Sequence, residues 1–333
     1  MIIVTGAAGF IGSNVLEGLE RAGYDDVVAV DRLRDGTKWR NLAKRGLRDI
    51  IRPEDLMAYL ESNKRPGDVQ AILHLGAISA TTERDVDRIL ENNIRLTLDL
   101  WHWAAVNDVT FLYASSAATY GDGAEGFADG WDPAHLARFR PLNAYGWSKH
   151  MTDRRIADDL SKARPTPKRW AGFKFFNVYG PNEFHKGPQS SVVSQVHPIA
   201  KAGESFPLFR SHHPDYADGG QLRDFVWVGD VVDILLWFLA QPAAAFPSDL
   251  YNVGTGQARS FLDLATGVYR ALGLNAQISW RDTPEAIRDK YQYFTQAEMG
   301  RLRKAGYDKA FTSLEDGIAQ YVAVLERNDD PFL

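Results

Sequence analysis

The sequence predicts an α/β protein: a doubly wound parallel sheet with a smaller, discontinuous α/β lobe. Three observations predict it. Short, almost wholly apolar runs alternate with helical patterns through the first half of the chain. A glycine-rich turn, Gly6-Ala7-Ala8-Gly9-Phe10-Ile11-Gly12, joins the first apolar run to the first helical one. Beyond Gly180 the alternation gives way to a region dense in glycine, proline and histidine. Strands that are apolar throughout have both faces covered, which is the mark of a parallel sheet between two helical layers.

Ile2 to Thr5 reads as the first strand and Phe10 to Arg21 as the first helix. Val27 to Asp31, Val69 to Leu75 and Thr110 to Ser115 follow as strands, with helices around Pro53 to Ser62 and Asp85 to Asn107 between them. A helix over Tyr145 to Asp159 leads into a strand at Gly172 to Asn177. Between Pro181 and Gln221 the one helix-like stretch is Ser190 to Ala202, and so long an irregular region is usually functional. Phe225 to Trp227 reads as a strand returning to the sheet, backed by a helix over Val231 to Leu239. The expected division is therefore a binding domain over residues 1–176, rejoined by 223–256, and a second lobe from 177–222 and 257–333.

Composition narrows the function. The 333 residues are 45% hydrophobic and 24% charged, with a formal net charge of −5, which argues against a general nucleic-acid binder. No cysteine is present, so thiolate chemistry and disulfides are excluded. His185, His197, His212 and His213 lack ligand spacing, and no metal is expected. No apolar run approaches the ~20 residues of a bilayer span, and the start of the chain lacks a signal-peptide pattern. A cytoplasmic enzyme without membrane contacts is the expectation.

The glycine turn has a physical purpose at each position: a tight bend at Gly6, backbone approach to a pyrophosphate at Gly9, and close helix–strand packing at Gly12. The helix that follows offers unpaired N–H groups and a partial positive charge to phosphates. Asp31 closes the second strand, where a carboxylate accepts hydrogen bonds from a ribose and favours NAD. Arg32, Lys38 and Arg52 follow, and cations there neutralise a 2′-phosphate, which favours NADP. The balance leans to NADP, with NAD open.

Tyr145 and Lys149 are four residues apart at the start of a helix and so share a face. A phenol of pKa near 10 is a poor base at neutral pH, and a nearby ammonium stabilises its phenolate. Upstream, Ser116 ends a strand where its hydroxyl can bond a substrate alcohol or the derived ketone. Glycine turn, serine and tyrosine–lysine pair, in that order, identify a hydride-transfer site.

The spacing of the turn and the Tyr-x-x-x-Lys pair resemble the extended short-chain dehydrogenase/reductase family, also described as NAD-dependent epimerases and dehydratases. His74-Leu75-Gly76-Ala77, Asn92-Asn93, Asn177-Val178-Tyr179-Gly180-Pro181 and Arg223-Asp224-Phe225-Val226 resemble its cofactor and substrate segments. One branch stands out. Asp35-Gly36-Thr37-Lys38, Phe111 to Gly121, Asn177 to Gly187 and Tyr291 to Ala297 resemble the ADP-L-glycero-D-manno-heptose 6-epimerases. That resemblance implies NADP, an ADP-heptose substrate, inversion at C6, a place in lipopolysaccharide precursor synthesis and a homo-oligomer, five-membered in the best-known case.

It also implies roles. Tyr145 and Lys186 match the proton-transfer pair, with Lys149 supporting Tyr145. Phe10, Ile11, Asp31, Arg32, Lys38, Leu75, Gly76, Ala77 and Asn92 fall at cofactor positions. Ser116, Asn177, Lys186, Gln195, Phe209, Arg210, Ser211, Arg223 and Tyr291 fall on the substrate side. Two features depart from the branch: Gln195 stands where a histidine is expected, and the stretch Ser211 to Gln221 is longer. A nucleotide-hexose 4-epimerase is the alternative within the family. A non-catalytic NAD(P)-sensing or scaffold protein is the alternative outside enzymology.

Overall fold

The computed structural model describes residues 1–333 except 35, 63–67, 289–291 and 328–329. Its centre is a seven-stranded sheet, with β1 (Ile2–Thr5), β2 (Val27–Val30), β3 (Asp49–Ile51), β4 (Ala71–His74), β5 (Thr110–Ser116) and β6 (Trp170–Phe175) drawn from the first half. The chain then runs through β7 (Asn177–Tyr179), β8 (Phe206–Phe209) and β9 (Leu222–Trp227) before β10 (Asp249–Val253), and ends with β11 (Ala258–Ser260) and β12 (Ile278–Arg281). The large sheet has the order β10-β6-β5-β4-β1-β2-β3, and every pairing in it is parallel. Strand order reverses at β1, flanked by β2 and β4, so the loops after β1 and β4 diverge there and open a crevice.

Alternation along each strand divides the core into two layers. Val4, Ala29, Leu73, Leu112 and Phe173 face one way, against the Phe10–Arg21 and Val228–Leu239 helices. Ile3, Val28, Ile72, Phe111 and Tyr113 face the other, against the Leu96–Asn107 and Ala144–Ser161 helices. Fully burying a side chain of this size contributes roughly 1.5–3 kcal/mol. Trp101 is wholly buried and meets Trp170 edge-on at 5.5 Å and Phe111 at 6.0 Å.

The second lobe has its own core. Val193 and Val196, Leu264 and Val268, and Ile318 and Tyr321 bring together the Val192–Lys201, Phe261–Ala271 and Leu314–Leu325 helices. Two small sheets, β11-β9-β7 and β12-β8, flank it. Tyr179 of β7 and Phe225 of β9 belong to this core.

Three sequence expectations need correction. Phe225 to Trp227 does not return to the large sheet; it lies in β9, paired with β7 and β11, and β10 supplies the returning strand. The strand expected at Gly172 to Asn177 is two strands, because the chain leaves the large sheet at Phe176 and starts β7 at Asn177. The helix expected from Asp85 to Asn107 contains a π-helical turn, Leu90–Arg95, between helical stretches Val86–Ile89 and Leu96–Asn107. No helix among the described residues is long and apolar enough to cross a membrane.

Residues 330–333 pack back on the molecule. Phe332 lies 5.3 Å from Phe184, its carbonyl accepts from Lys44 Nζ at 2.6 Å, and Leu333 N donates to Asn182 Oδ1 at 3.0 Å.

Candidate active site

The turn after β1 is built for backbone approach. Gly6 has φ +65°, and a Cβ there would lie 2.7 Å from Gly76 Cα. Gly9 N donates to Gly6 O at 2.9 Å and then caps the Phe10–Arg21 helix without a capping side chain. With no acidic residue in that first turn either, the helix N-terminus keeps its positive end for an anion. A cradle that glycines keep clear, facing a helix N-terminus, fits the pyrophosphate of a dinucleotide.

The crevice is a cavity of about 1000 Å³. Gly6, Gly9, Phe10, Ile11 and Gly12 form its floor, and Leu75, Gly76 and Ala77 after β4 form the facing wall. Asp31, Arg32 and Lys38 border one end; Ser116, Tyr145 and Lys149 border the other; Asn92 and Lys186 also line it. The sequence thus pointed to residues that the fold gathers around one space.

At the first end, Asp31 Oδ2 accepts from Ala8 N at 2.9 Å, fixing the glycine turn. Its Oδ1 accepts from Arg32 N at 2.7 Å and from Lys38 Nζ at 2.5 Å. Arg32 reaches Glu54 at 2.5 Å. Arg52, expected here, is outside the cavity lining: its guanidinium pairs with Asp55 at 2.7 Å in solvent.

At the second end, Asn143 caps the Ala144–Ser161 helix by accepting from Gly146 N at 2.8 Å, which starts the helix one residue before Tyr145. Lys149 is buried and donates to Ala114 O at 2.7 Å. Burial pulls its pKa down to about 8, against the opposing field of Asp153. Burial pushes the Tyr145 phenol up, opposed by its hydrogen bond with Ser116 and reinforced by Asp153. Ser116 Oγ itself accepts from Ala118 N at 3.1 Å. Phenol, ammonium and alcohol therefore meet at the C-terminal end of β5, where Tyr145 holds a proton that it can exchange with a substrate oxygen.

Lys186 stands at the rim, its Nζ 4.7 Å from the Phe10 ring and 3.5 Å from Glu183 Oε2. Glu183 is wholly buried and also accepts from Ser191 N at 2.8 Å and Tyr321 OH at 3.1 Å. Asn92 donates to Arg88 O at 2.7 Å, while its neighbour Asn93 brackets Ile78 and donates to Ser148 Oγ at 3.0 Å. These adjacent asparagines thus face different partners, Asn92 lining the cavity and Asn93 bonding the Tyr145 helix.

Of the expected substrate residues, Ser116 and Lys186 line this cavity, whereas Asn177, Gln195, Phe209, Arg210, Ser211 and Arg223 do not. Asn177 opens β7 with an exposed side chain. Gln195 donates to Ser190 O at 2.8 Å. Phe209 lies under Arg281 at 4.6 Å, Arg210 pairs with Asp218 at 3.0 Å, and Ser211 N donates to Asp218 at 2.8 Å. Arg223 donates to Leu222 O at 2.8 Å and to Gln292 O, with Phe261 5.6 Å away. Tyr291 and Asp35 lie outside the described residues. The long stretch after Ser211 is exposed over His212 to Asp215 but held by ring contacts, with His213 5.3 Å from Tyr216 and 5.2 Å from Tyr293.

Some participants were not singled out by sequence. His185 lines the cavity, and burial with Lys38 and Lys186 nearby brings its pKa to about 4, so it is neutral. Asp224, beside Arg223, accepts from Thr255 N, Gly256 N and Ala297 N at 2.7–2.9 Å and so joins three segments. Asp153 and Lys174 form a buried pair behind the site. A charged residue gives no sequence signal of burial when its partner is on another element.

The comparisons agree with this architecture. A family model described as the NAD dependent epimerase/dehydratase family matches residues 2–254. ADP-L-glycero-D-manno-heptose-6-epimerase of Nitratidesulfovibrio vulgaris is 45% identical over 335 residues, covering 100% of both chains. The Fusobacterium nucleatum protein of that name is 42% identical over 339 residues, again covering 100% of both. Among solved structures, Helicobacter pylori ADP-L-glycero-D-manno-heptose-6-epimerase superposes with a TM-score of 0.76 at 28% identity, covering 97% of this chain and 94% of that one.

Proposed function

Because the chain belongs to the NAD dependent epimerase/dehydratase family, we propose that it inverts C6 of the heptose in ADP-D-glycero-D-manno-heptose, giving the L-glycero form with NADP as recycled cofactor. One observation carries the reading: Ser116, Tyr145 and Lys149 border the same cavity as the glycine turn. Full-length identity of 42–45% to relatives named as heptose 6-epimerases supports the sugar. Lys38 and Arg32 beside Asp31 support NADP, since a 2′-phosphate can take over cations now held by carboxylates.

A dinucleotide held by the Gly6–Gly12 turn, Asp31, Lys38 and Lys149 would supply reversible hydride acceptance at C6, leaving no net redox change. The protein manages the protons. Tyr145, as phenolate after losing its own proton to solvent, takes the C6 hydroxyl proton as the C–H and O–H bonds break and the C=O bond forms, with Ser116 bonded to the same oxygen. Lys149, one helical turn on, holds positive charge near the phenolate. The ketone then turns, and the carbonyl oxygen regains a proton as hydride returns to the opposite face. Lys186, steadied by Glu183 at the rim, is the acid for that second orientation, and exchange with solvent then removes the proton from Tyr145 and restores the one on Lys186. The second lobe carries the rest of the sugar nucleotide, and the active enzyme is a cytoplasmic homo-oligomer.

The decisive experiment identifies the nucleotide that co-purifies and then follows ADP-mannoheptose and UDP-hexoses by NMR. NADP and exchange between the two C6 configurations are the expected results; turnover of a UDP-hexose alone overturns the sugar assignment. Lys186→Ala should lower turnover by about 10²-fold, the scale of an acid–base group, in steady-state assays. An unchanged rate and substrate affinity in that variant would remove Lys186 from the chemistry.

A further inference from the structure

We propose that the buried Asp153–Lys174 ion pair is a positioning device for the reaction: it pins the Ser115–Ser116 end of β5 to the helix carrying Tyr145 and Lys149 and fixes the charge balance beside them. This deepens, and rests on, the roles given above to Tyr145 and Lys149. Asp153 follows Lys149 by one turn and Tyr145 by two, on one helical face. Both members of the pair are 0% exposed, with Lys174 Nζ 2.9 Å from Asp153 Oδ2.

The pair reaches the catalytic serine by two routes. Asp153 Oδ2 accepts from Ser115 Oγ at 2.7 Å, and its Oδ1 accepts from Tyr113 OH at 3.0 Å, so the carboxylate grips β5 directly. Lys174 on β6 donates to Thr119 Oγ1 at 2.6 Å, and Thr119 Oγ1 donates to Ser116 O at 2.8 Å. The Lys174 ammonium also lies 4.9 Å from the Tyr120 ring. Helix, β5, β6 and the turn after Ser116 are thus fastened at one point. Stability is a poor reason for such a pair, because desolvating two charges offsets most of their attraction.

The charges also act on the site. Asp153 favours the cationic form of Lys149 and disfavours the phenolate of Tyr145, and by Coulomb's law a cation paired with it opposes both effects. Other titratable groups face this spot: His74 from β4, Tyr113 from β5, Tyr120 from the following turn and His150 from the same helix. Burial holds His74 at about 3 and His150 at about 4, and holds both phenols well above their ordinary value. All four are neutral around pH 7; Asp249, Asp129, Glu298, Arg154 and Arg140 also act on them, and Asp153 is the charge that bears on Lys149 itself.

The test is the sign of two shifts. Asp153→Asn removes a negative charge and should lower the Lys149 midpoint by about one pH unit; Lys174→Met removes a positive charge and should raise it by a similar amount. Both are read by NMR titration of the full-length protein carrying ¹³C-labelled lysine, assigned with Lys149→Met, and alongside them the pH profile of kcat. Shifts in the same direction, or none, overturn the proposal, because a merely structural loss gives no opposed pair. If either single variant fails to fold, Asp153→Asn/Lys174→Met leaves no orphaned charge. That double variant should keep the Lys149 midpoint and lose at least about tenfold in kcat with the loss of the tether, and a wild-type rate overturns the proposal. Absence of epimerisation in the wild type, with the Lys149 shifts present, counts against the functional reading alone.

Discussion

Tyr145→Phe is expected to lower turnover by about 10²–10⁴-fold while the fold and the bound cofactor are retained. The substitution removes one oxygen and keeps the ring that packs at the start of the Ala144–Ser161 helix. Ser116 loses its bond to the phenol but keeps the one from Ala118 N, and Lys149 keeps its bond to Ala114 O, so both stay anchored. What disappears is the group proposed to exchange a proton with the substrate oxygen. The loss should fall on kcat with little change in KM, because the phenol acts chiefly in the transition state. Single-turnover rates with a thermal melt check both halves. Turnover within a few-fold of the wild type would show that another group moves the proton.

The second large effect is at Gly12. A Cβ there would lie 2.1 Å from Gly6 O, 2.8 Å from Gly6 C and 3.0 Å from Ala7 Cα, all of them backbone atoms. No side chain can swing aside, so Gly12→Ala forces the helix away from the turn it must touch. The cost is about 1–3 kcal/mol of stability, as for other overpacked sites. The same displacement spoils the helix N-terminus as a phosphate cradle. NADP affinity should fall by at least about tenfold, which corresponds to about 1.4 kcal/mol of binding free energy. Calorimetric titration of NADP measures this directly. Gly300→Ala is the control, since a Cβ there meets nothing within 4 Å and both properties should be unchanged.

Much of the site could be read from sequence because local rules govern it. The glycine turn and the Tyr145–Lys149 pair depend on neighbours a few residues away, and their elements formed almost where expected. Non-local structure was harder to read. Three-residue β3 is too short to show a pattern, and β10 contains Asn252, a buried amide that accepts from Tyr120 OH at 2.6 Å and donates to Phe127 O at 2.7 Å. A polar residue in that run hides a strand whose partners come from distant segments. Asp153 and Lys174 are hidden for the same reason, since an isolated charge in sequence is most often solvated. Arg52 shows the opposite error: a cation in a plausible place was claimed at once by Asp55, three residues on. Arg223 and Arg210 lie on the second lobe, where their orientation follows from tertiary packing rather than from any local spacing.

The position of β10 bears on how the molecule is made. The sheet is complete only when Asp249–Val253 lies beside Trp170–Phe175, and everything between them builds the second lobe or the helix that leads back. On the ribosome, β6 leaves the exit tunnel long before its outer neighbour has been translated. Its open hydrogen-bonding edge must then wait while that lobe is synthesised, so a nascent chain stalled short of Asp249 presents to chaperones, or to other nascent chains, an edge that the finished enzyme never shows.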